Sequence, residues 1–336
     1  MGVGEAVRMP QRAGYDGSGS FAGKLAVVTG GGSGIGRELT RQLAAAGCSV
    51  AACDLNTDAV AETAALAQAS AGPGVRVTWH ACDVADEAQV LRFRNELLGQ
   101  HARDHVGLVF ANAGVGGAVS FVTAAREQWE RTFAIDWCGV YHCARAFLPL
   151  LMASGDGVLI NTSSVNGLWA SLGPGVPNTA YSTAKFAVRG FTEALIEDLR
   201  ANAPQVRVVL VLPGHVGTDI VANTRRVHGL PGPESLGEAD LARARAFLGP
   251  RGLLAEGTAD KELRQLLTRL EHDFKDKAPV SAAQAATIIL DGVRSGSWRI
   301  LIGEGARILD AAVRAKPEAS YDYAELFGKL AQPSGA

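Results

Sequence analysis

The chain has 336 residues, 47% of them hydrophobic and 20% charged, which is ordinary globular composition with ample material for a sizeable core. A formal net charge of −2 and an isoelectric point near 6.4 offer no basic surface for nucleic acid or for an acidic membrane. The five cysteines, Cys48, Cys53, Cys82, Cys138 and Cys143, are odd in number and form no CxxC pair, so neither a disulfide framework nor a metal site is expected. Small buried hydrophobes in a reducing cytoplasm are the reading instead.

In chain order, residues 1–20 are Gly-rich and polar, read as a disordered tail, and carry no apolar stretch of the secretory-leader kind. Leu25–Val28 is a short apolar run that meets glycines after Thr29, a buried strand entering a turn. Ile35–Ala46 follows with helical spacing and stops at Gly47. Strands are expected at Ser49–Cys53, Val75–His80, Gly107–Ala111, Val158–Thr162, Val206–Leu212 and Trp298–Ile302. Helices are expected at Asp58–Ala71, Asp86–Gln100, Gln128–Met152, Ala180–Ala201 and Ala282–Ser295. The apolar runs are far too short to span a bilayer.

Strand and helix alternate, and the strands are continuously apolar, as strands covered on both faces should be. The expectation is a Rossmann-type, doubly wound parallel α/β sheet of about seven strands in one domain over residues 21–303. Residues 219–280 break the rhythm. They contain Pro231, Pro233 and Pro250 and two helix-like runs, Glu238–Leu248 and Asp260–Asp276. Such a long insertion beyond a strand's carboxyl end reads as a substrate lid, with surface decoration as the alternative. Residues 304–336 form a C-terminal extension, helical to about Arg314 and then irregular. Its Tyr321, Tyr323 and Phe327 suggest packing on something, a neighbouring subunit among the options.

Thr29-Gly30-Gly31-Gly32-Ser33-Gly34-Ile35-Gly36 joins the first strand to the first helix. Glycine there permits positive φ and close backbone approach, and the helix N-terminus offers free N–H groups to a pyrophosphate. A Gly-rich turn alone is weak; between a strand and a helix it points to dinucleotide binding. The second strand ends at Asp54, followed by Leu55. A carboxylate there accepts from adenosine ribose hydroxyls and repels a 2′-phosphate, and Ser33 rather than a basic residue precedes Gly34. NAD is therefore favoured over NADP; capping of the next helix is the competing role for Asp54.

Tyr181 and Lys185 lie i, i+4 on one helix face. A nearby cation lowers a phenol's pKa from near 10, which suits the tyrosine to general acid–base work. YxxxK by itself occurs by chance on many helices. Its partner is Ser164, closing Asn161-Thr162-Ser163-Ser164 at a strand end, where a hydroxyl could orient a substrate oxygen.

These motifs together resemble the short-chain dehydrogenases/reductases over about residues 21–303. The matching segments are Thr29–Gly36, Asp83-Val84, Ala111-Asn112-Ala113-Gly114, Asn161–Ser164, Tyr181–Lys185, and Pro213-Gly214 with Thr218. The glycine spacing is that of the family's short branch, TGxxxGxG; the extended branch would need glycine at position 33. The resemblance implies that Tyr181 is the general acid–base and that Lys185 holds the nicotinamide ribose and lowers the tyrosine pKa. It implies that Ser164 stabilises charge on the substrate oxygen and that Asp83 and Val84 contact adenine. Asn112, Ala113 and Gly114 would line the cofactor, and Pro213, Gly214, Val216 and Thr218 would approach the nicotinamide.

The family usually carries an asparagine where this chain has Asp136, and that residue's main-chain carbonyl helps hold a water of the proton relay. A carboxylate has no N–H donors, so Asp136 is expected to shift the pH optimum of an otherwise active enzyme. Candidate substrate contacts are Val165, Trp169 and His215, with Val115, Gly116 and Leu168; Trp169 reads equally well as core, and His215 as a satisfied loop histidine. Mostly apolar walls suit a secondary alcohol or ketone of medium size. Homodimers or homotetramers built partly on helices 128–152 and 180–201 are usual in the family. A catalytically impaired NAD-binding scaffold or sensor, or a non-redox enzyme on the same shell, are the competing functions.

Overall fold

The computed structural model describes residues 20–117 and 119–330, the last four as backbone only; the expected N-terminal tail and the Phe327 side chain fall outside it. The chain alternates as foreseen through β1 (Leu25–Thr29), α1 (Gly34–Ala45), β2 (Ser49–Asp54), α2 (Thr57–Ala69), β3 (Val77–Ala81), α3 (Glu87–His101) and β4 (Leu108–Ala111). It continues through α4 (Arg126–Phe133), α5 (Gly139–Ala153), β5 (Val158–Thr162), α6 (Thr179–Asn202) and β6 (Arg207–Pro213). Seven parallel strands pair in the order β3-β2-β1-β4-β5-β6-β9, where β9 is Arg299–Ile302. Strand order reverses between β1 and β4, and their carboxyl ends open the crevice in which doubly wound sheets bind ligands.

Both sheet faces are buried, which is why the strands read as unbroken apolar runs. Val27, Ala51 and Val109 pack on one side with Phe93, Phe147 and Leu151. Ala26, Val28 and Val50 pack on the other with Leu39, Leu43 and Ile289. Four of the five cysteines are buried and unbridged, and Cys138 is partly so. Among the described residues no helix is long and apolar enough to cross a membrane.

Two local features depart from the sequence reading. The single helix expected over 128–152 is broken by a π turn at Ala134–Cys138, which rotates Ile135 and Asp136 inward. A second, two-stranded sheet pairs β7 (Val216–Gly217) with β8 (Val280–Ser281), closing the insertion at its base just before α10 (Ala282–Arg294). Two-residue strands have too little pattern to be seen in a sequence.

The insertion itself is ordered and helical. It comprises α7 (Ile220–Val227), α8 (Glu238–Leu248) and α9 (Asp260–Asp276), the last two at the expected bounds. Leu241, Leu248 and Leu263 form a small core of their own between α8 and α9. The C-terminal extension also folds onto its own chain, as α11 (Glu304–Ala315) and α12 (Tyr323–Leu330). Leu309, Leu326 and Tyr323 enclose Trp169 from the segment after β5.

Candidate active site

The glycine turn at the end of β1 is shaped by close backbone approach. Gly30 and Gly34 have φ of +67° and +51°, a region where side chains are strained. A Cβ on Gly36 would collide with the Gly30 carbonyl, and one on Gly34 would lie 2.9 Å from Thr218 Cγ2. Ser33 precedes α1 without capping it through its side chain; its Oγ accepts instead from Asn223 Nδ2 of α7 at 3.0 Å. The first-turn amides of α1 are thus left to an anion. Asn112 ties the turn to β4: its amide donates to Thr29 Oγ1 at 3.0 Å and its Nδ2 to the Thr29 carbonyl at 3.1 Å. The Ala113 amide donates to the same hydroxyl at 3.0 Å.

Asp54 closes β2 against this turn. Its Oδ2 accepts from the Gly32 amide at 2.9 Å and its Oδ1 from the Asn56 amide at 2.8 Å. The side chain capping α2 is that of Asn56, which accepts from the Ala59 amide, so the helix-cap role weighed for Asp54 belongs to its neighbour. Leu55 beside it is exposed. Arg37, a turn along α1, is engaged by Glu62 at 2.6 Å. Asp83 pairs with Arg131 of α4 at 2.7 Å, and Val84 is buried against Gly139.

The catalytic candidates converge at the carboxyl end of β5. Ser164 is buried, and its Oγ accepts from the Asn166 amide at 3.1 Å. Lys185 is buried beneath Tyr181, its Nζ 5.4 Å from the ring centre. That Nζ donates to the Thr162 carbonyl at 3.3 Å and lies 3.1 Å from Asp136 Oδ1. Ser163 Oγ anchors the Lys185 carbonyl at 2.7 Å.

Burial pushes the Tyr181 phenol above its ordinary value, Lys185 and the Ser164 hydroxyl pull it down, and Asp136 pushes it back up. Burial alone would lower Lys185, but Asp136 and Tyr181 outweigh it and hold the ammonium above its usual range. Burial raises Asp136 to about 6 against the pull of Lys185. The contact with Asp136 was not legible in the sequence, because helical spacing gives no sign of a π turn. Such bulges concentrate at functional sites.

A family model described as short chain dehydrogenase matches residues 24–228. The chain belongs to the short-chain dehydrogenase/reductase family. A putative oxidoreductase, SadH of Mycobacterium tuberculosis, is 33% identical to this dehydrogenase/reductase over 297 residues, 88% of this chain and 91% of that protein. A solved short-chain dehydrogenase/reductase from Burkholderia phymatum, in complex with NAD, superposes with a TM-score of 0.67 at 26% identity and covers 94% of this chain and 99% of its own. A metagenomic short-chain oxidoreductase in complex with NADP has a TM-score of 0.51 at 30% identity, covering 59% of this chain and 84% of its own. The chain is therefore an oxidoreductase of this family, and its fold is one that holds a nicotinamide dinucleotide.

Its own residues fit such a group. The bare glycine cradle, the uncapped amides of α1 and the oriented Asp54 carboxylate lie along one crevice. Gly214 is fixed by its amide on the Ile302 carbonyl at 3.0 Å, and Thr218 reaches the glycine turn. The Val216 side chain is buried against the core that includes Val280, leaving its backbone as the part that could approach a ligand.

Two residues put forward as substrate contacts have other partners. The His215 ring packs 4.4 Å from that of Phe274, and its Nε2 bonds the Phe274 carbonyl at 2.7 Å. Trp169 is buried under the C-terminal extension, its Nε1 donating to the Ser320 carbonyl at 2.7 Å. Trp169 is thus a packing residue in this structure, whereas His215 is exposed, with its Nε2 and one ring contact engaged by Phe274. Reasoning from sequence missed Thr224, whose Oγ1 accepts from the Gly116 amide at 2.6 Å and seats α7 beside the crevice. It lies 108 residues from its partner, and no local pattern marks it.

Proposed function

We propose that this protein is an NAD(H)-dependent oxidoreductase that interconverts apolar secondary alcohols and ketones of medium size. The observation that carries the reading is the convergence of Ser164, Tyr181 and Lys185 at the end of β5, beside a cradle closed by Asp54. When bound, the nicotinamide supplies hydride exchange with the substrate carbon. The chain's residues do the rest. Gly30, Gly32, Ser33, Gly34, Ile35 and Gly36 hold the pyrophosphate at the start of α1. Asp54 and Leu55 meet the adenosine ribose, and the Asp54 charge opposes a 2′-phosphate, which supports NAD over NADP.

Asp83 and Val84 flank the adenine, and Asn112, Ala113 and Gly114 line the middle of the crevice. Pro213, Gly214, Val216 and Thr218 border the nicotinamide, whose ribose is held by Tyr181 and Lys185. Tyr181 holds or takes the proton at its Oη, and Ser164 Oγ orients the substrate oxygen and stabilises charge on it. Val115 and Val165 supply apolar walls, and the insertion closes over the crevice through α7. The enzyme works as a homo-oligomer. A sensor without turnover would keep the cradle and Lys185 for the ribose, but gives no reason for the Ser164 hydroxyl to stand against the Tyr181 phenol.

The test is turnover of a panel of apolar ketones with NADH by the wild type and Tyr181→Phe. Losing general acid–base catalysis costs about 10²–10⁴-fold, and that loss is expected in kcat. Tyr181→Phe retaining wild-type turnover would remove the tyrosine from the mechanism, and no turnover of any ketone or alcohol by the wild type would return the sensor.

A further inference from the structure

The π turn places a carboxylate where it can act on the tyrosine through the lysine. Asp136 is 0% exposed. Its Oδ1 lies 3.1 Å from Lys185 Nζ and accepts from the Val115 amide at 3.2 Å. Gly114 makes this approach possible, since a Cβ there would stand 2.6 Å from Asp136 Oδ1 and 3.3 Å from Lys185 Nζ. Oδ2 has no hydrogen-bond partner among the described residues, so Asp136 is held by that one amide and the ammonium alone. An asparagine at this position would bring no charge.

Among the described residues, three side chains act on the Tyr181 phenol: Lys185 from the same helix, Asp136 from the π turn and the Ser164 hydroxyl from the end of β5. A cation favours a phenolate only as far as its field is not cancelled by a nearby anion. With the carboxylate in contact with the ammonium, the pair presents little net charge to the phenol. Both members are out of water, so solvent does little to screen them from Tyr181.

We propose that Asp136 is a positioning residue that cancels the field of Lys185 at Tyr181 and keeps the phenol protonated through the neutral range. The site is thereby set as a proton donor to a carbonyl oxygen: the Tyr181 O–H bond breaks, an O–H bond forms on the substrate, and the phenolate is refilled through Lys185. The opposite direction, alcohol oxidation, needs a deprotonated tyrosine and so an alkaline medium. This inference rests on Tyr181 as the general acid–base. The burial that raises Asp136 leaves it ionised above a pH of about 6, where the cancellation operates.

The test is a spectroscopic titration of the phenolate in near-ultraviolet absorbance, on protein without cofactor or substrate. The Tyr181 step is isolated by subtracting Tyr181→Phe in each background. In Asp136→Asn, with Lys185 uncompensated, the step should move down by about one pH unit or more. An unchanged or upward-shifted step would overturn the proposal. If Asp136→Asn does not fold by circular dichroism, Asp136→Ser, which also removes the charge, is titrated in the same way. A downward step in that variant supports cancellation, and an unchanged or raised one overturns it. Because the cuvette holds no substrate, this outcome is independent of whether Tyr181→Phe abolishes turnover.

Discussion

Asp54 shows how a single residue can carry a specificity argument. Both of its oxygens are oriented by backbone amides, one of them in the glycine turn, so the carboxylate is held in place before any ligand arrives. Replacing it by asparagine keeps the shape and removes the charge. Asp54→Asn is expected to weaken NADH binding and to narrow the preference over NADPH by about tenfold, roughly 1.4 kcal/mol, read by calorimetry with each nucleotide. An unchanged ratio would assign the discrimination elsewhere. The residues legible from sequence were those whose signal is local: the glycines of Thr29–Gly36, and Tyr181 with Lys185 one turn later. Asp136 was visible as a substitution, but its contact with Lys185 depends on a π turn and a partner 49 residues away, neither of which leaves a local pattern. His215 likewise finds its partner in the Phe274 carbonyl, 59 residues on.

Between elements, the segment after β5 and the C-terminal extension fasten each other. Asn166 takes its place from Ser164 Oγ and donates from Nδ2 to the carbonyls of Trp169 and Ser171. Ser171 Oγ meets Tyr323 Oη at 2.8 Å, and the Ala170 amide donates to Tyr321 Oη at 3.2 Å. The wall that begins at Ser164 is thus held from outside by residues at and just before a helix near the end of the described chain. The aromatic residues of the extension were legible as packing residues, but not their target, since a sequence does not say which surface an aromatic covers. Trp169→Ala should cost about 3–5 kcal/mol in denaturant unfolding, the range for a buried aromatic truncated in a core. A loss below about 1 kcal/mol would mean the extension does not depend on it.

Acid acts on the contact between β3 and α3. Thr78 Oγ1 joins His80 and His101, bridging β3 and α3. Burial, with Arg76 and His80 adding to it, lowers His101 from 6.5 to about 4. A folded-state value below the unfolded one means that the neutral ring is favoured by folding. Its stabilisation is complete above pH 6.5 and is lost as pH falls toward 4. His101→Gln should flatten the fall of Tm across that window while leaving Tm near pH 8 little changed. An identical slope in both proteins would contradict the assignment.

Across the whole molecule, the sheet follows from alternation of apolar runs and helical spacings, and strand order places the glycine turn and Asn112 on either side of the reversal. What the sequence left open was how the insertion closes. The β7–β8 pairing, the Asn223–Ser33 bond and the Thr224–Gly116 bond seat α7 at the crevice. The π turn, α5 and α6 carry Trp137, Tyr141 and Phe191, respectively, in mutual ring contact, with Tyr141 and Phe186 exposed. Such an aromatic face fits the proposed homo-oligomer. Light scattering should give a dimer or tetramer at micromolar concentration, and Tyr141→Arg should shift it toward monomer. A wild-type monomer would refute the assembly.

The proposed choice of NAD by the carboxylate at the end of β2 is decided by a pair of binding titrations of the wild-type protein with NADH and NADPH, followed by quenching of tryptophan fluorescence. Saturable binding of NADH is expected, tighter than that of NADPH by about tenfold or more, the scale of one charge-assisted contact. Tighter binding of NADPH, or no binding of either nucleotide, would contradict it.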